Sequence, residues 1–108
     1  SYFENASPNP LAQQFIKAYK EKYNVDPDMF AAAIYEAVYI AKASVEKMGD
    51  TKDIAAFRTA LRDELAKIKD LPGVQGPTTF DAKGQADKQV MIVQWTGGQK
   101  KILYPKSN

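Results

Sequence analysis

Two common residue types are missing from this chain: its 108 residues include no cysteine and no histidine. Their absence excludes disulfides, thiolate zinc sites and histidine metal ligands, together with the Cys–His and Ser–His–Asp arrangements of nucleophilic enzymes. Any catalysis would have to depend on carboxylates, lysines or tyrosines. Because proteins without disulfides occur in the cytosol, in the periplasm and outside the cell, the missing cysteines leave the compartment open.

The chain also lacks a basic cluster and a long apolar run. Its 15 basic and 13 acidic residues give a net charge of +2, and no run of basic residues concentrates it, so a nucleic-acid partner has little support. The longest apolar candidate, residues 30–41, contains Glu36 and is shorter than the roughly 18 residues of a membrane-spanning helix. With 44% hydrophobic and 26% charged residues, the composition is that of one small globular domain.

Residues in the first half of the chain predict two helices. Asn9 followed by Pro10 is a typical helix start, and the apolar residues that follow recur at helical spacing. Asp26 and Pro27 indicate a second start, and residues 30–43 beyond them are apolar nearly all round. A helix of that kind is expected to be buried on most sides, so it needs further layers of structure around it.

The second half is predicted to contain one more helix and then strands. The helix is expected to start at Asp50 or Thr51, and residues 89–95 and 99–104 predict a hairpin whose first strand is covered on both faces. Because few other elements are present to cover them, the chain is either a tightly packed α+β domain or part of something larger. Further predicted features are the end of a strand at Tyr2 and Phe3, short strands around Gly76, and a core stripe formed by Ile54, Phe57, Leu61, Leu65 and Ile68.

Two short motifs match known chemical sites only in part. Ser44 and Lys47 have the Ser-x-x-Lys spacing of penicillin-binding enzymes, but no large cleft accompanies them, and we interpret them as neighbours on an exposed helix. Asp81, Gly84 and Asp87 lack the alternating oxygen ligands and terminal Glu of a calcium loop, which favours a tight turn between strands. Neither motif predicts an enzyme, a metal or a cofactor.

Two residues of the apolar second helix are candidates for function. Glu36 is compatible with a catalytic acid of raised pKa, with a solvent-facing edge, or with pairing to a cation from elsewhere; we favour a structural role, since no second acid or base is near in sequence. Phe30 lies in the first helical turn, where free N–H groups suit a carboxylate, so it could wall a pocket or pack in the core. The aromatic residues at core-type positions are interpreted as packing: Phe15, Tyr19, Phe57 and Trp95.

Taken in order, these segments resemble the C-terminal part of the branched-chain amino-acid (Leu/Ile/Val-type) solute-binding proteins of ABC transporters. The resemblance covers nearly the whole chain, and its most specific piece is the Phe-Asp-x-x-Gly turn that follows the third helix. Its pieces are residues 15–23 (FIKAYKEKY), Asp26-Pro27, residues 32–37 (AAIYEA), the helix at residues 54–65, residues 76–84 (GPTTFDAKG) and residues 90–95 (VMIVQW).

The resemblance implies an α/β chain that is part of a type I periplasmic-binding-protein fold, in which two lobes are joined by hinge strands. Residues 1–88 would form the C-terminal portion of the amino-terminal lobe, and residues 89–108 would be returning strands of the second lobe. Since family members are much longer, the resemblance implies a fragment whose apolar helix and strand pack on the remainder of the same polypeptide.

The resemblance also implies a binding protein without enzymatic activity or cofactor. It would capture an amino acid or similar small solute between the lobes, in the periplasm or lipid-anchored outside the cell, and deliver it to an ABC-transporter permease. In the family, the residue five before the Tyr of the Tyr-x-Ala motif can touch the ligand side chain. That Tyr is Tyr35 here, so Phe30 is the expected ligand contact, and the polar ligand anchors lie outside this chain.

Two alternatives stay open. A ligand-sensing domain of the same fold in a receptor would be favoured by a membrane-spanning segment after Asn108, although an ending at Tyr104-Pro105-Lys106 soon after a hairpin is typical of a natural terminus. A stand-alone small α+β domain would melt cooperatively when isolated. A fragment is instead expected to be partly molten or oligomeric, because sheet edges and apolar faces are left open.

Overall fold

The computed structural model describes residues 3–105, so Tyr2, Lys106 and the end of the proposed second-lobe segment lie outside the described residues. Phe3, predicted to end a strand, lies in an irregular segment. The predicted order of helices followed by short strands is confirmed. The elements are α1 (Pro10–Tyr23), α2 (Met29–Lys47), α3 (Ile54–Ala66), β1 (Thr79–Phe80), β2 (Ala86–Asp87), β3 (Ile92–Thr96) and β4 (Gln99–Tyr104).

Helix α1 begins and ends where its sequence signals indicate. The Asn9 side chain accepts a hydrogen bond from the Leu11 N–H at 3.0 Å, and Pro10 occupies the first turn, where no donor is needed. At the other end Asn24 adopts the left-handed conformation, with a φ of 55°, and its N–H donates to the Lys20 carbonyl. Asparagine tolerates this conformation better than most residues, which is why the helix stops there.

Helices α2 and α3 each begin later than the sequence predicts. The cap of α2 is Asp28 and not Asp26, because the Asp28 carboxylate accepts the N–H three residues on at 2.8 Å. Asp26 instead forms an exposed ion pair. The cap of α3 is Asp53, with the same geometry and distance, and not Asp50 or Thr51. None of the helices in the described part of the chain is long and apolar enough to cross a bilayer.

The strands form two antiparallel pairs. Strands β3 and β4 pair in the predicted hairpin, and Gly97 and Gly98 both have positive φ (59° and 77°), as a two-residue turn of this hand requires. Between β1 and β2, the Asp81 carboxylate accepts the backbone N–H groups of Lys83 and Gln85 at 2.8 Å. This arrangement is the predicted tight turn.

The apolar core is small and lies between α1, α2 and the loop that precedes β1. A cluster of five buried residues forms it, and Ile68 is buried elsewhere in the described part. Helix α3 contacts α2 but contributes no buried residue of its own. The Cα radius of gyration is 16.4 Å, against about 13 Å for a compact domain of about 100 residues. The cluster consists of Phe3, Ala12, Phe15, Ala32 and Val74.

Large apolar surfaces remain exposed, which corrects three expectations. Helix α2 is not buried on most sides: one side packs on the core, while Ile34 on the other is 70% exposed. The stripe on α3 is covered only in part, since Ile54 is 70% exposed whereas Phe57, Leu61 and Leu65 are half-buried and Ile68 is buried. Strand β3 is not covered on both faces, and Trp95, interpreted as packing, is 66% exposed. Burial depends on neighbouring layers, and the described residues supply none for these surfaces.

Candidate ligand-binding site

Phe30 lies in the first turn of α2, the place where a helix presents unpaired N–H groups. Pro27 is buried and Met29 half-buried, so the chain entering the helix is held on both sides of the Asp28 cap. The Phe30 side chain is 72% exposed and packs on nothing in the apolar core. Of the two roles left open for Phe30, packing in the core of this chain is therefore wrong.

Phe30 is the first member of a continuous apolar surface on α2. Most of its members are spaced by three or four residues, so they fall on one side of the helix, opposite the buried side formed by Ala32 and Glu36. We call this surface the apolar face of α2, and it consists of Phe30, Ile34, Ala37, Val38, Ala41 and Val45.

A cavity of about 360 Å³ lies beside the start of α2. Its lining comes from the amino-terminal segment, from the residues that lead into α2, and from β4, which contributes Lys100. A larger cleft of about 1120 Å³ separates the loop at residues 72–77 from the hairpin. Phe30 lines neither space, although its neighbours Asp28 and Met29 line the smaller one.

Of the three roles considered for Glu36, the structure shows pairing with a cation from another part of the chain. Its side chain is 5% exposed and forms an ion pair with Lys88. The same carboxylate accepts the Gln75 N–H and the Thr78 hydroxyl, each at 2.8 Å. Glu36 thus holds residues 73–78 against α2 and against the chain that leads to the hairpin. We call these residues the 73–78 segment.

Two further hydrogen bonds fix the 73–78 segment next to the helix starts. The Asn9 side-chain amide donates to the Gly73 carbonyl at 2.8 Å, so one residue both caps α1 and holds the segment. The Gln75 side-chain amide donates to the Met29 carbonyl in the first turn of α2 at 3.4 Å. The backbone around Phe30 is therefore braced from the side away from the apolar face.

Lys100 joins the hairpin to the amino-terminal segment. Its ammonium lies 3.0 Å from the Glu4 carboxylate and 5.6 Å from the centroid of the Trp95 ring. The Glu4 side chain is 8% exposed, whereas that of Lys100 is 44% exposed. Sequence reasoning missed this pair, because the two residues are 96 positions apart and carry no spacing signal.

An aromatic row runs from α1 to α2. The rings of Phe15 and Tyr35 are 4.6 Å apart between centroids, and those of Tyr35 and Tyr39 are 4.8 Å apart. The hydroxyl of Tyr35 donates to that of Tyr39 at 3.2 Å. This hydrogen bond raises the pKa of Tyr35, and partial burial and the charge of an ionised Tyr39 raise it further. The row packs the two helices together.

The partial motifs have structural roles. Ser44 is buried, with 1% exposure, and its hydroxyl donates to the Ile40 carbonyl at 3.0 Å. Ser44 and Lys47 are neighbours on one helix, as predicted. The prediction that this position is exposed is wrong for Ser44. Within residues 3–105, no group of three acidic side chains is placed to hold a metal ion.

The sequence profile of the periplasmic binding protein family matches residues 1–100. The chain belongs to the periplasmic binding protein family. Among its relatives is the Leu/Ile/Val-binding protein homolog 3 of Brucella melitensis, 32% identical over 97 residues that make up 89% of this chain and 25% of that protein. The resemblance to Leu/Ile/Val-type binding proteins is thereby confirmed.

Solved structures of periplasmic binding proteins have the same fold, which confirms the predicted fold class. LivJ of Streptococcus pneumoniae, in complex with isoleucine, superposes with a TM-score of 0.77 at 28% identity, over 97% of this chain and 29% of that one. An ABC-transporter substrate-binding protein of Desulfitobacterium hafniense, in complex with Leu, gives 0.79 at 26% identity, over 95% of this chain and 30% of that one. The chain thus spans between a quarter and a third of the length of these relatives.

Proposed function

We propose that the full-length protein to which this chain belongs is an extracytoplasmic solute-binding protein. It captures an amino acid or a similar small solute between two lobes and delivers it to the permease of an ABC transporter. The observation that carries the proposal is the similarity of nearly the whole chain to a Leu/Ile/Val-binding protein and to folds with leucine or isoleucine bound. The function is binding and release, without catalysis.

The proposed lobes divide at residue 88. Residues 1–88 are the C-terminal portion of the amino-terminal lobe, and residues 89–108 are returning strands of the second lobe. Residues 88–91 belong to no helix or strand, and they connect the β1–β2 pair, which follows the three helices, to the β3–β4 hairpin. A short irregular connection of this kind can absorb the backbone rotation of a hinge, which supports a crossover between lobes there.

The remainder of the same polypeptide covers the apolar face of α2. Its exposed surface is continuous and lacks any charged side chain, which is unusual for a helix side in contact with water. In α/β folds such a side packs on a sheet. The chain spans about a quarter of its Brucella relative, so enough polypeptide is available in a protein of that length to supply the sheet.

Phe30 contacts the apolar part of the solute. In open α/β sheets, ligands bind outside the carboxyl ends of the strands, the edge at which the adjoining helices begin. Phe30 occupies the first turn of α2 at the end of the apolar face, so packing of that face on a sheet leaves Phe30 at this edge. A phenyl ring there suits a branched aliphatic or aromatic side chain.

A thermal-unfolding screen of the full-length protein tests the proposal. Leucine, isoleucine, valine and phenylalanine are added at millimolar concentration, with glucose and sulfate as controls of unrelated chemistry. A solute present at 100 times its Kd stabilises the folded state by about 2.7 kcal/mol, which is readily seen as a higher Tm. We expect at least one hydrophobic amino acid to raise the Tm. No shift with any amino acid would contradict the proposal.

A further inference from the structure

The ion pair between Glu4 and Lys100 connects the two segments that we assign to different lobes. Glu4 lies in the amino-terminal segment, and Lys100 lies in β4, 96 residues later. We propose that this pair is an interlobe contact that favours the closed arrangement of the lobes, and that Lys100 is a positioning residue for solute capture. The inference rests on the proposed function, and specifically on the division at residue 88.

The two side chains differ in burial, and this difference determines which arrangement of the lobes the contact favours. The Glu4 side chain is 8% exposed, and a carboxylate so far from water is unfavourable without a cation beside it. Rotation of the hairpin away from the amino-terminal segment would remove that cation. A contact made in one arrangement and lost in the other shifts the equilibrium towards the first.

The register of the β3–β4 ladder restricts the position of the Lys100 ammonium even without Glu4, because it places the side chain beside Trp95. Lys100 lies directly opposite Trp95 in the β3–β4 ladder, and its ammonium is 5.6 Å from the centre of the indole ring. The cation–π attraction restricts the long side chain before it meets Glu4. The next residue, Lys101, points to the opposite face of the strand, and in the described part of the chain it has no ion-pair partner. Lys101 is therefore a matched control.

The contact lies next to the proposed ligand site. Glu4 and Lys100 both line the cavity beside the start of α2, together with Asp28 and Met29, the residues immediately before Phe30. A solute held at Phe30 and the Glu4–Lys100 pair would therefore both favour the arrangement in which the hairpin approaches α2. Coupling of this kind raises the affinity for the solute without any contact between Lys100 and the solute.

Unlike the Glu4–Lys100 pair, the Glu36–Lys88 pair does not connect the two proposed lobes. Both residues lie within residues 1–88, so a rotation about residues 89–91, which follow Lys88, leaves their separation unchanged. Lys88 should matter for stability and Lys100 for closure. Comparing Lys88→Met with Lys100→Met separates a loss of closure from general damage to the fold.

The experiment uses the full-length protein with two readouts. The first is calorimetric affinity for leucine and isoleucine. The second, which needs no ligand, is the interlobe distance distribution between spin labels at Thr59→Cys in α3 and Gln94→Cys in β3, both exposed positions. We expect Lys100→Met to weaken binding about tenfold, between the effects of an exposed and a fully buried ion pair. We also expect Lys100→Met to give a broader distribution of interlobe distances, corresponding to more open lobes. Lys101→Met should change either readout little, and the exchanged pair E4K/K100E should recover the wild-type affinity and distances.

The outcomes distinguish this inference from the proposed function. If the wild type binds leucine or isoleucine and Lys100→Met matches it in affinity and in distances, the inference is overturned and the function stands. If the wild type binds neither amino acid, the distances decide: a shift in Lys100→Met that E4K/K100E reverses supports the interlobe contact. No shift would overturn it.

Discussion

Glu36 in α2 and Lys88, 52 residues further along the chain, form an ion pair whose side chains are only 5% and 11% exposed. The pair joins the apolar helix to the end of the strand pair that precedes the hairpin. Because Glu36 also accepts hydrogen bonds from Gln75 and Thr78, one carboxylate organises three segments of the chain. The first two predictions concern this cluster.

Replacing Lys88 should destabilise the protein strongly. Lys88→Met leaves the Glu36 carboxylate buried without its cation, and the loss of one partner of a buried pair costs about 3–5 kcal/mol. Urea unfolding of the full-length protein measures the change. Lys83→Met, at an exposed turn position, is the matched control, and the double variant E36Q/K88M should recover part of the loss. A change within about 0.5 kcal/mol for Lys88→Met, the range of ordinary surface substitutions, would contradict the structural role of the pair.

Replacing Gly73 should displace the Glu36 carboxylate. A Cβ at residue 73 would lie 2.5 Å from Glu36 Oε2 and 2.6 Å from Cδ, closer than real Cβ contacts come. We expect Gly73→Ala to lower the free energy of unfolding by about 1–3 kcal/mol, the usual cost of overpacking.

Gly49→Ala controls for the loss of glycine itself. No atom lies within 4 Å of a Cβ at residue 49, so this change should be neutral or slightly stabilising. In a Glu36→Ala background the cost of Gly73→Ala should largely disappear, because the clashing group is gone. Equal costs in both backgrounds would show that the contact with Glu36 is not the cause.

The apolar face of α2 should be buried in the full-length protein. Ile34 is 70% exposed in the described chain, where no neighbouring layer covers it. In the full-length protein, Ile34→Ala should cost about 2–4 kcal/mol, as expected for a buried isoleucine. Lys47→Ala, exposed on the same helix, should be near neutral. Chemical denaturation of the full-length variants measures the difference, and equal effects of the two changes would refute coverage of this face.

Local signals in the sequence predict the order of elements, the start of α1 and the glycine turn of the hairpin. They succeed because Asn9-Pro10 and Gly97-Gly98 act through backbone conformation, which needs no distant partner. The sequence signals place the cap of α2 two residues too early, since Asp26 and Asp28 are both capable caps and only the geometry distinguishes them.

Burial and long-range pairing could not be predicted in the same way. The periodicity of Ile54 or Ile34 indicates an apolar side, but whether that side is covered depends on other layers of structure. Pairing with a cation is one of three alternatives that the sequence leaves open for Glu36, and no signal in the sequence indicates Lys88 as the partner. Phe30 as a ligand contact comes from the family resemblance and stays a prediction.

The most direct test of solute capture is calorimetric titration of wild type, Phe30→Ala and Ile34→Ala in the full-length protein, with leucine and isoleucine. Burying a phenylalanine side chain against a ligand is worth about 1.5–3 kcal/mol, or about 10- to 100-fold in Kd. We predict that loss for Phe30→Ala, with the wild-type Kd retained by Ile34→Ala in spite of its lower stability. A saturable wild-type isotherm that Phe30→Ala leaves unchanged would contradict the assigned site, and no binding of either amino acid by the wild type would contradict capture of branched-chain amino acids.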